Sequence, residues 1–450
     1  MSIIKRTTGH CISMMLLCFH ASAAEVTAFE SFVQLQLKSD GPGLAYIVTK
    51  NGETIYSGAY GMANVETRAV LSPDSTFNIA SVTKQFTAAA IMQLQQQGKL
   101  NVKDNINKYL PEFPTAGHVI TIEHLLTHTS GLARNPGTGN QQTTEVIDSE
   151  QMLVLFAKEP MQFAPGEKMQ YSNMGYKLLG LIIEVASGQP YGDYIEKNIF
   201  AKLGMKHSNY GNRQSGALKA DGYYQSWQHG YQRARIQDVS WTYAGGGLAS
   251  SANDLALWYR ALLDGTFISQ DSYRQMITPF SLNDGSSSNY GYGLNNIRLH
   301  NRSAVIHQGS LPGYKASAVY FPDEGIYATV LSNLSSVETF EFFSVLTGEL
   351  FGLSYPSFEP VQLTASQQEQ IMGDYQTSSG AIRKIFMEEG LMYSRLGNAL
   401  VYAVTPLVNN TFLYGQSTSY FTIKQDTTGR QILSYYPSVT AKPEIAVKLQ

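Results

Sequence analysis

Strand-forming sequence stands at both ends of the first 350 residues, with helical sequence between, and this order limits the fold more than any other feature. Residues 43–50 and 53–60 are β-rich runs that flank Asn51-Gly52, the strongest short-range hairpin signal. β character returns only at Ala304–Ile306, Ser317–Phe321 and Tyr327–Ser332. The intervening stretch has helical rhythm. Ser81–Gln97 carries Phe86, Ala89, Ala90 and Leu94 on one face and stops at Gly98, a plausible C-cap. Thr121 is placed to cap a helix running through His124 and Leu126, and Tyr176–Ala186 and Asn253–Leu263 are amphipathic. A terminal helix is expected around Ser335–Leu350. The order predicts an α+β, or mixed α/β, domain: an antiparallel sheet built from both ends of the segment, flanked by helices inserted between its strands.

Beyond Phe351 the character changes. Ser354–Pro360 reads as a linker, and the remainder is a series of short strands separated by turns: Ile382–Met387, Leu391–Arg395, Thr411–Tyr414, Tyr420–Ile423 and Gln431–Tyr435, with Asp426–Gly429 as a connecting turn. The chain therefore divides into a main domain over residues 24–355 and a small all-β domain over 361–450. No catalytic constellation is evident in the second.

Residues 1–23 have the three parts of a secretory signal. Lys5 and Arg6 are basic, Cys11–Phe19 is a short apolar run, and Ala21-Ser22-Ala23 suits a signal peptidase. A periplasmic or secreted protein is expected. Cleavage near Ala23 would remove Cys11 and Cys18, the only two cysteines. That excludes a disulfide framework, a cysteine zinc site and an iron–sulfur cluster. It would also remove Lys5 and Arg6 and take the net charge from −3 to −5, which argues against a nucleic-acid partner. No later run is long and apolar enough for an integral membrane segment.

Three short motifs carry chemistry. Ser81-Val82-Thr83-Lys84 opens a helix, and residues i and i+3 share a helix face. A lysine whose pKa is depressed can take the proton of a serine, which is otherwise a weak nucleophile. The helix N-terminus also aims N–H groups at developing negative charge. Taken alone, the pair reads as a solvated face. Tyr171-Ser172-Asn173 offers a phenol able to relay protons and an amide able to hold a carbonyl or an amine; the alternative is a capped turn. His307-Gln308-Gly309-Ser310 ends a strand. Glycine there permits close backbone approach, and a strand-edge N–H can form half of an oxyanion hole; the alternative is a strand end with an incidental histidine.

The three motifs follow one another at spacings of 90 and 136 residues. In that order they resemble the serine β-lactamase and penicillin-binding protein superfamily, with its S-x-x-K, S/Y-x-N and K/H-x-G elements. The tyrosine form looks like the class C β-lactamase branch, with its D-alanyl-D-alanine carboxypeptidase, D-aminopeptidase and esterase relatives. Flanking segments agree: Phe77–Ala80, Leu125–Leu132, Phe163–Gly166, Ala244–Ser250 and Gly309–Gly313. The resemblance covers residues 28–350. It implies that Ser81 is acylated, that Lys84 takes its proton or tunes Tyr171, and that Tyr171 relays the proton to the leaving group and later activates water. It implies that Asn173 orients Lys84 and the substrate amide. Gly309 and Ser310 would belong to the substrate-binding strand, with the N–H groups of Ser81 and Ser310 as the oxyanion hole. His307 stands where many relatives have lysine, the cation for a substrate carboxylate. A histidine is only partly charged at neutral pH, which argues against efficient β-lactam hydrolysis.

The implied function is an exported serine hydrolase acting on amide or ester bonds of D-Ala-type peptides, β-lactams or small esters, with a small-molecule or peptide substrate that includes cell-wall fragments. The competing reading is a non-catalytic penicillin-binding-like binding or regulatory protein. No cofactor is expected. His124 and His128 are spaced as a metal pair but lack the glutamate of His-Glu-x-x-His, and no metal is expected. Gly245-Gly246-Gly247 has no following Gly-Lys-Ser/Thr and reads as a tight packing turn near the site. Tyr290–Gly293 fits either a cleft wall or core packing.

Overall fold

The computed structural model describes residues 27–135, 144–211, 218–226, 228–235 and 237–449. The expected signal at 1–23, with both cysteines, lies outside the described residues.

Helix α1 (Thr27–Gln36) leads into a hairpin of β1 (Leu44–Lys50) and β2 (Glu53–Tyr60). Lys50 faces Glu53, and the turn residues both have positive φ, 52° at Asn51 and 83° at Gly52. That is the type I′ geometry whose twist matches the flanking strands. The partners of this hairpin arrive much later in the chain: β3 (Asn295–Leu299), β4 (Arg302–Leu311), β5 (Tyr314–Phe321) and β6 (Ile326–Ser332). The sheet order is β3-β4-β5-β6-β1-β2, antiparallel throughout. Both ends of the domain thus meet in one sheet, and β1 lies inside it against β6, with Leu44 opposite Ser332.

Both faces of the central strands are covered. Leu44, Tyr46 and Val48 join Phe29 and Phe32 of α1 and Phe342 and Phe343 of α6 (Thr339–Leu350). Ala45 and Ile47 point the other way. They join a larger core that includes α2 (Thr83–Gln96), α3 (Asn173–Ser187), α4 (Val239–Gly246) and α5 (Ala252–Leu263). Burial on both sides explains why β1 reads as a nearly continuous apolar run rather than an alternating one. Trp258 of α5 anchors the larger core. It is fully buried, stacks on Phe86 at 4.2 Å between ring centres, and donates its indole N–H to Gln85 Oε1 at 3.0 Å.

A short helix, α7 (Ala365–Ile371), introduces the C-terminal unit. Eight strands follow: β7 (Gly373–Thr377), β8 (Ile382–Glu388), β9 (Leu391–Leu396), β10 (Tyr402–Leu407), β11 (Thr411–Tyr414), β12 (Tyr420–Gln425), β13 (Gln431–Tyr436) and β14 (Glu444–Lys448). β7 pairs with both β8 and β14, closing a barrel and leaving no exposed edge. Tyr375, Ile385, Phe412, Phe421 and Leu433 fill its core. Leu407 and Leu413 pack into the α1–α6 layer of the main domain. Among the described residues no helix is long and apolar enough to cross a membrane.

Trp258→Ala removes both the stack and the indole bond. Urea unfolding is expected to record a loss of about 3–5 kcal/mol. A loss below about 1 kcal/mol would deny Trp258 its anchoring role.

Candidate active site

The Ser81 turn is a short 3-10 segment, Ala80–Val82, that runs directly into α2. Ala80 holds φ at +48°, a conformation that an alanine adopts only under constraint. Ser81 lines a cleft of about 680 Å³ shared with Arg134, Tyr171, Asn173, His307 and Ser310. One turn along α2, Lys84 is fully buried. Its Nζ lies 3.1 Å from Ser81 Oγ and donates to Asn173 Oδ1 at 2.8 Å and to the Gly245 carbonyl at 2.6 Å. These partners are dipoles rather than anions. Burial first, then the positive charges of Lys177 and Arg134, hold the Lys84 pKa well below the usual lysine range.

Tyr171 and Asn173 arrive together at the start of α3. Ser172 caps that helix: its hydroxyl accepts from the Gly175 N–H at 3.1 Å and donates to the Ala133 carbonyl at 2.7 Å. Tyr171 precedes the cap and lines the cleft beside Ser81, with Lys84 Nζ 4.9 Å from its ring centre. Burial raises the phenol pKa above its ordinary value, outweighing the opposing effects of Ser81 and the Arg134 charge. The Asn173 amide nitrogen donates to Asn135 Oδ1 at 2.7 Å, so its side chain is held from both ends.

β4 supplies the opposite wall. Its pairing with β3 ends at Ile306, whereas its pairing with β5 continues to Leu311. The segment from His307 onward therefore presents a free edge on one side. A Cβ at Gly309 would sit 2.2 Å from the Ile79 carbonyl oxygen, so glycine is what lets the strand press against the serine turn. Ser310 follows at the cleft surface.

His307 departs from the sequence expectation of a partly charged histidine. Its Nδ1 lies 2.7 Å from the Gln308 carbonyl, which only accepts, so Nδ1 carries the proton. Its Nε2 then accepts from the Tyr290 hydroxyl at 2.9 Å. Burial first, then the Lys84 charge, push its pKa down to about 3. The residue is a neutral, fully engaged hydrogen-bonding group at neutral pH. Tyr290 is thereby a wall residue of the cleft, while Tyr292 is buried and donates to Glu123 Oε1 at 2.6 Å.

His124 and His128 hold separate structural posts. His124 Nδ1 accepts from the Thr121 N–H within a capping box. His128 Nδ1 accepts from the Ser172 N–H at 3.1 Å, and its ring lies 4.2 Å from that of Tyr171. The carbonyl of Gly245 gives the triple glycine a direct part in the site.

Sequence reasoning missed Arg134, Asn135, Lys315 and Glu338, all of which line the cleft or touch its residues. Arg134 and Asn135 directly continue the Leu125–Leu132 segment, so extending that block by three residues would have reached them. Lys315 and Glu338 come from separate elements and leave no local signal.

Residues 28–342 match the family model described as beta-lactamase. The chain is similar to a penicillin-binding protein of Bacillus subtilis (strain 168), 29% identical over 400 residues, spanning 81% of this chain and 86% of that one. It is also similar to a D-aminopeptidase of Gluconobacter oxydans (strain 621H), 27% identical over 349 residues, spanning 76% of this chain and 64% of that one. Among solved structures, the octameric penicillin-binding protein homologue from Pyrococcus abyssi superimposes with a TM-score of 0.67 at 26% identity, covering 94% of this chain and 100% of that one. A match of that extent takes in most of the barrel as well.

Two outcomes test this geometry. Gly309→Ala is expected to cost about 1–3 kcal/mol in urea unfolding, as overpacking against backbone does; an unchanged midpoint would contradict the close approach. The second concerns His307. The unfolded chain binds its proton below about pH 6.5, the folded protein only below about 3. Protons therefore favour unfolding in that window, and the stability His307 contributes is lost as pH falls. Between pH 6.5 and 5 the native protein should lose about 2 kcal/mol more than His307→Gln. Equal losses would show that His307 titrates normally.

Proposed function

The chain belongs to the beta-lactamase family, and we propose that it is an exported serine hydrolase that cleaves amide or ester bonds through an acyl-enzyme on Ser81. The observation that carries this reading is the contact set at Lys84: a buried amine 3.1 Å from the serine oxygen and tied to Asn173 and Gly245. A neutral amine has one lone pair and two N–H donors. Those match one serine hydroxyl and two carbonyl oxygens, so Lys84 is built to act as a base toward Ser81.

In acylation the Ser81 oxygen attacks the substrate carbonyl carbon as its proton passes to Lys84 Nζ. The tetrahedral oxyanion is held by the N–H groups of Ser81 and Ser310, each worth about 10²–10³-fold in rate. Tyr171, a protonated phenol beside Ser81, passes a proton to the leaving amine or alcohol and recovers one from Lys84. The carbon–nitrogen or carbon–oxygen bond then breaks and leaves the acyl group on Ser81. Deacylation runs the same relay with water in place of the leaving group.

The resemblance to a D-aminopeptidase supports D-amino peptides or amides as substrates. The neutral state of His307 weakens the case for efficient β-lactam turnover, because it supplies no cation for the penicillin carboxylate. The three-part pattern at residues 1–23 supports a periplasmic or secreted location.

Intact-mass spectrometry after incubation with a fluorophosphonate and with a fluorescent penicillin tests the mechanism. One adduct is expected on the native protein and none on Ser81→Ala. Tyr171→Phe should slow acylation by about 10²–10⁴-fold. An adduct that persists in Ser81→Ala would overturn the assignment, and a native protein inert to both probes would favour the non-catalytic reading.

A further inference from the structure

The charged groups around the cleft are almost all committed to one another. Lys84 is buried and spends its contacts on Ser81, Asn173 and Gly245. His307 has both ring nitrogens engaged. Lys315 pairs with Glu338 at 3.2 Å. Arg134 is the exception. Among the described residues no carboxylate lies within ion-pair distance of it, and the adjoining sequence Pro136–Thr143 contains no aspartate or glutamate.

Arg134 is nonetheless firmly placed. Its carbonyl accepts from the Asn173 N–H at 3.0 Å and the Met174 N–H at 3.3 Å, which ties its backbone to the first turn of α3. Its guanidinium carbon lies 5.8 Å from the Tyr171 ring centre. The cleft therefore carries one uncompensated charge, permanently positive, on the Tyr171–Asn173 side of Ser81. A guanidinium fork also matches the two oxygens of a carboxylate.

We propose that Arg134 determines specificity by receiving a carboxylate of the substrate, a task for which His307 has no free ring nitrogen. The inference rests on the serine-hydrolase reading and deepens it. The enzyme would favour substrates bearing a carboxylate within reach of Tyr171 over the corresponding neutral amides. The preference would weaken with ionic strength, because the arginine is open to solvent.

Binding to Ser81→Ala, where no turnover intervenes, provides the test. Titration calorimetry with 3-phenylpropionate and with 3-phenylpropionamide in low-salt buffer should give at least tenfold tighter binding of the acid. Adding Arg134→Ala should bring the two affinities together, Arg134→Lys should keep part of the difference, and Arg134→Glu should reverse it. Equal affinities in the parent, binding of neither compound, or a preference that survives Arg134→Ala would each overturn the proposal. The two readings fail separately. Absent Ser81 labelling with an intact acid preference defeats the hydrolase mechanism alone, whereas normal labelling without a preference defeats the Arg134 assignment alone.

Discussion

The buried amine of Lys84 is the constraint around which the candidate active site is arranged. Removing an amine from water is costly unless its hydrogen-bonding positions are filled. Here three separate pieces of chain fill them: the serine turn, the start of α3 and the glycine run of α4. Neighbouring residues on α2 reinforce the last of these. Thr87 donates to the Ala244 carbonyl at 2.7 Å, and Thr83 accepts from the Leu248 N–H at 3.1 Å. Thr83, Lys84 and Thr87 thus stitch one face of α2 to residues 244–248, and Lys84 stands at the centre of that seam.

The surrounding wall is built from neutral hydrogen bonds and rings rather than counter-charges. His128 lies against Tyr171, Tyr176 and Tyr290, with ring centres 4.2, 5.0 and 4.7 Å away. Tyr290 in turn donates to His307. An acidic residue in this layer would stabilise the lysine as an ammonium. The aromatic layer instead keeps the local dielectric low, which favours the unprotonated amine and the protonated phenol together. The same choice leaves the cleft without a buried cation, so any recognition of charge falls to residues at its mouth.

What the sequence disclosed followed from whether the determining interactions were local. The Asn51-Gly52 turn, the Thr121 cap and the Ser81–Lys84 spacing act over a few residues and were legible. The α3 helix was read from Tyr176, yet it begins at Asn173 because Ser172 caps it, the capped turn that Tyr171–Asn173 offered as its alternative reading. β3 escaped notice because an edge strand rich in Asn and Arg lacks apolar alternation. β4 was read as ending at Ile306 but reaches Leu311, because pairing with β5 overrides the weak strand propensity of Gln308, Gly309 and Ser310. The charge state of His307 was beyond sequence reasoning altogether. It depends on burial and on Tyr290, seventeen residues away by chain, and burial is a property of the assembled fold.

The barrel bears on the cleft through α6. The Glu341 carboxylate, in the first turn of that helix, accepts from both the N–H and the hydroxyl of Thr418 at 2.9 and 2.7 Å. A carboxylate there also suits the helix dipole. Just ahead of it, Glu338 and Thr339 line the cleft, and Thr339 bonds the buried Ser317 hydroxyl of β5 at 2.9 Å. The first turn of α6 is therefore gripped from two sides, by the main sheet and by a barrel loop. Deleting the barrel would leave Glu341 without these two donors and expose the apolar layer that Leu407 and Leu413 cover. The cost would fall on the helix that carries the cleft rim. The C-terminal unit is in this sense part of the wall that supports the site.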